Sequence, residues 1–188
     1  MQDDTDLGHR KALPEALRVL ARDYPRDLWQ SHAAFDGLIR FWLERHAMFR
    51  ALLDRLSQES AAIAKTDSGA AQELRNTARL GQALVSELHG HHQIEDLHYF
   101  PRLSRLEPRL ERGFDILDRD HHALDGHLAH LADTTNALIR AEPILRRERA
   151  DALQEVLFGF GVFLDRHLTD EEDLVVPILL RHGESLGS

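Results

Sequence analysis

Apolar residues recur every three or four positions along four long stretches of the chain, and strand-like alternation is nearly absent. The first stretch, from about Asp27 to Ser60, carries Leu28, Phe35, Ile39, Trp42, Phe49, Leu53 and Leu56 on one face. The second runs from about Ala70 to His98 and closes near Phe100-Pro101, and the third spans about Arg109 to Arg140, after Pro108. The fourth opens at Ala141-Glu142-Pro143 and reaches about Arg181, with Pro177 expected to kink or end it. Thr66-Asp67-Ser68-Gly69 reads as a turn, with Asp67 or Ser68 as an N-cap. A shorter helix is expected to begin near Leu13-Pro14 and to stop before Tyr24-Pro25. Four long amphipathic helices with short connections predict an all-α fold, an up-down-up-down four-helix bundle with a short extra N-terminal helix. Residues 1–25 read as an N-terminal extension and 26–183 as the bundle domain.

Composition narrows the chemistry. A chain of 188 residues suits one domain with a sizeable core. The net charge of −9, with basic residues scattered among acidic ones, argues against a nucleic-acid partner, which needs a clustered basic face. No apolar run approaches a membrane span and no basic-then-apolar leader is present, so neither a membrane nor export is expected, and the location reads as cytoplasmic. Cysteine is absent, which excludes disulfides, iron–sulfur ligation and thiolate zinc; any metal must be held by nitrogen and oxygen. Thirteen histidines are far more than such a chain ordinarily carries.

The histidines are not scattered at random. His91-x-x-x-Glu95-Asp96-x-x-x-Phe100-Pro101 is matched by His167-x-x-x-Glu171-Glu172-x-x-x-Val176-Pro177, at a constant offset (167 − 91 and 171 − 95 both give 76). Residues four apart on a helix share a face, so each string offers an imidazole and a carboxylate to a common point. Each string is preceded by a helix with an inward histidine. His46 has Phe49, Leu53 and Leu56 at +3, +7 and +10, and His121 has Leu124, Leu128 and Leu131 at the same spacings. His122 is the alternative to His121, since it keeps the 76-residue offset from His46 but points about 100° away from the stripe. Two buried glutamates without a cation would be costly, and four inward histidines in step with them point to a metal centre.

The remaining histidines read as ordinary. His89, His92, His127 and His130 are expected off the site or among polar positions, solvated or hydrogen-bonding, and His32 in packing near the bundle end, roughly 21 Å from His46 along a helix. His98 is expected to line an access route or cover the surface. Asp96, Glu172 and Asp173 read as solvated carboxylates in preference to acceptors for ligand imidazoles. Trp42, Phe49, Phe160 and Phe163 are expected to form a dry shell.

In this doubled pattern the chain resembles the hemerythrin-like, or HHE cation-binding, family, over about His32 to His182. The resemblance implies a hemerythrin-like four-helix bundle with a non-haem centre of two iron ions, oxo- or hydroxo-bridged. His46, His91, His121 and His167 would be terminal ligands, and Glu95 and Glu171 the bridges. The oxygen-carrying members add a histidine one turn after the His121 position, where this chain has Asp125, and use Asp in the last bridge, at a longer spacing than His167-x-x-x-Glu171. Members that repair or sense damaged iron centres often carry a cysteine-containing N-terminal segment, and this chain has no cysteine. Manganese or zinc are possible substitutes for iron in such a donor set.

The expected function is therefore binding of a small diatomic ligand (oxygen, nitric oxide or peroxide) for sensing, storage, detoxification or iron-centre maintenance. A di-iron oxidase or peroxidase is the alternative, although Glu-x-x-His occurs once here, at Glu95 and His98, where such enzymes use it twice. A metal-free helical interaction domain is the third reading. Nothing in the chain specifies a protein partner or a homo-oligomer, and no Ser-His-Asp, Gly-rich phosphate loop or His-Glu-x-x-His string supports a hydrolase or nucleotide site.

Overall fold

The computed structural model describes residues 5–65 and 70–183. The turn expected at Thr66-Asp67-Ser68-Gly69, with its Asp67 or Ser68 cap, lies outside them. Among the described residues every regular element is helical, with six α-helices. A short 3₁₀ turn, Glu15–Leu17, leads into α1, Val19–Asp23, and another turn, Arg26–Ser31, precedes α2, Gly37–Lys65. Then follow α3 (Ala71–Ile94), a π-helical turn (Glu95–Tyr99), α4 (Phe100–Leu106), α5 (Glu111–Ile139) and α6 (Arg146–His182). No helix among the described residues is long and apolar enough to cross a membrane.

The boundaries differ from expectation where local chemistry decides them. The first long helix begins at Gly37, ten residues after Asp27, because Asp36 Oδ1 accepts the backbone N–H groups of Leu38 (3.0 Å) and Ile39 (3.1 Å). The stretch before it is a 3₁₀ turn closed by Trp29, which is buried and donates its indole N–H to the Tyr24 carbonyl. Proline does not stop the second long helix: Pro101 falls in the first turn of α4, where a missing N–H costs little, and helical backbone continues to Leu106. Pro177 likewise lies inside α6, which runs on to His182.

The chain forms two compact units. The described residues of unit 1 are 5–46, 92–122 and 165–183, and those of unit 2 are 47–65, 70–91 and 123–164. The core of unit 1 gathers Leu20, Ile39, Trp42, Leu103, Leu117 and Val175 around an N-terminal segment that packs Leu13 and Leu17 into it. Unit 2 buries Leu56, Leu84, Leu88, Leu131, Leu153 and Phe160. Burial of a leucine- or phenylalanine-sized side chain contributes ~1.5–3 kcal/mol.

Candidate metal centre

Unit 1 brings together side chains from every long helix that enters it. His46 comes from α2, one turn after the buried Trp42; His92 from the end of α3; Glu95 opens the π-turn; His121 comes from α5; His167 and Glu171 come from α6. All six are buried, His46, His167 and Glu171 completely. A π-turn inside a helix often marks a functional position. Here it follows directly on the segment that supplies His92 and begins at Glu95.

The inner atoms face one another. His46 Nε2 is 3.3 Å from Glu171 Oε1, and His167 Nε2 is 3.5 Å from Glu171 Oε2. His121 Nε2 is 3.6 Å from Glu95 Oε2. Trp42 donates its indole N–H to Glu171 Oε1 at 2.5 Å, which fixes that carboxylate. Ligand atoms of His92, His121 and His167 lie within 4.8 Å of one another. Those of His46, Glu95 and Glu171 do the same. His91 is half-buried, is the last residue of unit 2 and stands one helical turn before Glu95; its ring lies 5.0 Å from that of Phe49.

The outer ring nitrogens are held by carboxylates. His46 Nδ1 donates to Glu172 Oε1 (3.0 Å), His121 Nδ1 to Asp96 Oδ1 (2.8 Å) and His167 Nδ1 to Asp120 Oδ2 (3.3 Å). An ionised carboxylate only accepts, so it places the ring proton on Nδ1 and turns the Nε2 lone pair inward, the arrangement metal-binding histidines ordinarily have. The Nε2 atoms of His121 and His167 are buried and have no hydrogen-bond partner. Two lone pairs aimed at buried carboxylates, with nothing bonded to them, fit a cation held by nitrogen and oxygen.

Electrostatics agrees. Burial, with the negative Glu171 alongside, pushes the Glu95 carboxyl well above its ordinary range. Burial works against protonating His46, but Glu171 and Glu172 outweigh it and raise that imidazole to about 9. His167 is raised in the same way, with Asp120 and Glu171 outweighing burial. His121 is lowered by burial and by the neighbouring His167, against the pull of Asp96. Without a cation, the site must hold protons to offset its carboxylates.

Set against the sequence expectations, the structure gathers His46, Glu95, His121, His167 and Glu171. His122 is not among them: its side chain is 75% exposed and bonds through Nδ1 to the Asp118 carbonyl on its own helix. His92 departs from its expected place off the site. It is 3% exposed, and its ring stacks on that of His121 at 4.0 Å between centroids. Leu88 and Leu84, at −4 and −8, put His92 as close to the apolar stripe as His91, so the two adjacent histidines straddle it.

Asp96 and Glu172 bond ligand-side imidazoles where solvation was expected, whereas Asp173 pairs with Arg26 at 2.7 Å. Asp120 carried no sequence signal. His98, His89 and His130 are exposed, His127 packs against Phe163 at 4.5 Å and His32 against Tyr24 at 5.5 Å. Of the expected dry shell, Trp42, Phe49 and Phe160 are buried, and Phe163 is half-buried.

Comparison with known proteins gives three findings. The family model described as the hemerythrin HHE cation binding domain matches residues 37–179. An uncharacterized protein of Haemophilus influenzae is 29% identical over 85 residues, which is 45% of this chain and 45% of that protein. No solved structure matches the chain.

Proposed function

Because the chain belongs to the hemerythrin HHE cation-binding domain family, we propose that it is a non-haem di-iron protein that binds a small ligand, oxygen, nitric oxide or peroxide, between two metals in a four-helix bundle. His46 and His91 would hold one iron, and His92, His121 and His167 the other, with Glu95 and Glu171 bridging. Bound iron would supply Lewis-acidic positions at which a diatomic molecule or peroxide can coordinate. The chain's own residues orient and shield it: Trp42 steadies Glu171, three outer carboxylates fix the imidazoles, and buried side chains exclude bulk water. The observation that carries the reading is the pair of buried, unbonded Nε2 atoms at His121 and His167, each aimed at a buried glutamate. Imidazole with carboxylate suits iron, and the lack of cysteine removes the donors that would favour zinc.

The oxidase reading gains little, since its one Glu-x-x-His pair ends on the exposed His98. The test is metal content with an optical spectrum of aerobically purified protein, before and after azide or nitric oxide. Two irons per chain and a ligand-induced spectral change are expected. One zinc, or no metal and no response, would overturn the proposal.

A further inference from the structure

Two of the three outer carboxylates are themselves gripped by arginines that precede the family-matched region. Arg10, whose side chain is 1% exposed, forks onto Asp120: Nη1 donates to Oδ1 at 2.7 Å and Nη2 donates to Oδ2, the oxygen that also accepts from His167. Its Nε donates to Asp170 Oδ2 at 2.8 Å, and the backbone N–H of Leu13 bonds Asp170 Oδ1 at 3.1 Å. Arg26 donates from Nη1 to Glu172 Oε2 at 2.6 Å, while the other oxygen of Glu172 accepts from His46. Its Nε bonds Asp173 at 2.7 Å and its Nη2 the Thr169 carbonyl at 2.8 Å. Thus Arg10–Asp120–His167 and Arg26–Glu172–His46 are two arginine–carboxylate–imidazole relays, the first through a bidentate pair and the second through one charged hydrogen bond, both starting between residues 5 and 36. The third outer carboxylate, Asp96, has a partly exposed side chain, and no arginine is bonded to it among the described residues.

Resting on the di-metal reading, we infer that the N-terminal segment is a built part of the metal centre, and that Arg10 and Arg26 are positioning residues for His167 and His46. The bidentate Arg10 guanidinium fixes the Asp120 carboxylate in one plane, and the single charged hydrogen bond from Arg26 fixes Glu172 through Oε2. The carboxylate in turn fixes the imidazole's rotation and tautomer, so the direction of each Nε2 lone pair is set from outside the motif helices. Loss of the arginine frees the carboxylate to turn and leaves the histidine poorly aimed.

Arg26 gives the cleaner experiment, because its side chain is 43% exposed and its removal leaves no cavity in the core. Arg26→Gln, Arg26→Lys and the control Arg22→Gln, which breaks only a surface pair with Glu15, would be loaded with ferrous iron and challenged with a chelator. Arg26→Gln is expected to lose iron roughly tenfold faster than the unsubstituted protein, in the range typical of outer-sphere partners of ligand histidines. Arg26→Lys should be intermediate, Arg22→Gln unchanged, and metal-free Arg26→Gln should melt with the metal-free parent. Arg10→Lys extends the test to the buried relay. Iron loss at the parent rate would overturn the inference, as would faster loss matched by a lowered metal-free melting temperature, which would reduce Arg26 to a structural role. Absence of metal from the parent protein would instead overturn the di-metal reading beneath it.

Discussion

At the scale of single residues, the pairing of adjacent histidines at 91 and 92 is the point on which the site's composition turns. An α-helix separates neighbours by about 100°, so a doublet astride an apolar stripe can serve two positions at once. His92 stacks on His121 and is 5.3 Å from the His167 ring, while His122, the other half of a second doublet, is exposed. On the proposed di-iron reading, His92→Ala is expected to lower iron content from two toward one per chain, and His122→Ala to leave it at two; elemental analysis of both variants decides. Equal loss from both would return His92 to the role of a stacking neighbour. The burial of His46, His121, His167 and the two glutamates was readable from phase and repeat, because each has leucines or aromatics at helical spacings. The role of Asp120 was not, because it depends on a ring 47 residues away, and no local pattern encodes that pairing.

At the scale of elements, the four long amphipathic segments were legible as helices from their apolar period alone. Their ends were not, because polar caps and tertiary ties set them. Asp36, an ordinary acid in sequence, starts α2, and proline at 101 is absorbed into the first turn of α4. The π-turn from Glu95 to Tyr99 has no sequence signature that distinguishes it from α-helix.

Glu107, between α4 and the next turn, is another tie without a signature. It accepts from His182 at 2.8 Å and pairs with Arg181 at 3.3 Å and Arg109 at 3.0 Å, anchoring the end of α6. Burial opposes its ionisation, but His182 and Arg109 outweigh burial and hold its carboxyl below the ordinary value of 4.5. A depressed carboxyl contributes stability that is present above its unfolded value and lost as pH falls through the folded one. Glu107→Gln should therefore cost on the order of 1 kcal/mol near neutrality, given the partners' exposure, and the deficit should shrink progressively as the pH falls below about 4.5. Chemical denaturation across pH 3 to 7 tests the sign; a deficit undiminished at the acid end would contradict it.

At the scale of the whole molecule, buried polarity is distributed unequally. Among the described residues, every buried charged or imidazole side chain (Arg10, His46, His92, Glu95, Glu107, Asp120, His121, His167, Asp170, Glu171 and Glu172) falls in unit 1. Unit 2 buries only the hydroxyls of Ser60, Thr77 and Thr135 among its polar side chains. Apolar burial stabilises unit 2 whatever ions are present, whereas unit 1 buries Glu95 beside Glu171, two carboxylates that oppose each other unless a cation or protons offset them. A ligand bound only by the folded state adds about 4.1 kcal/mol at a thousandfold excess over its Kd, so chelation should lower the melting temperature markedly.

The loss should also be local: amide exchange after chelation should quicken in 92–122 and 165–183 and stay near its former rate in 123–164. Glu95→Gln separates charge from packing. It removes one of the two competing carboxylates, so the metal-free variant should be more stable than the metal-free parent by roughly 1 kcal/mol, or ~2–4 °C, while the metal-loaded comparison reverses. A metal-free helical domain would show neither the chelation effect nor the reversal, since its glutamates would already be at their best without a cation.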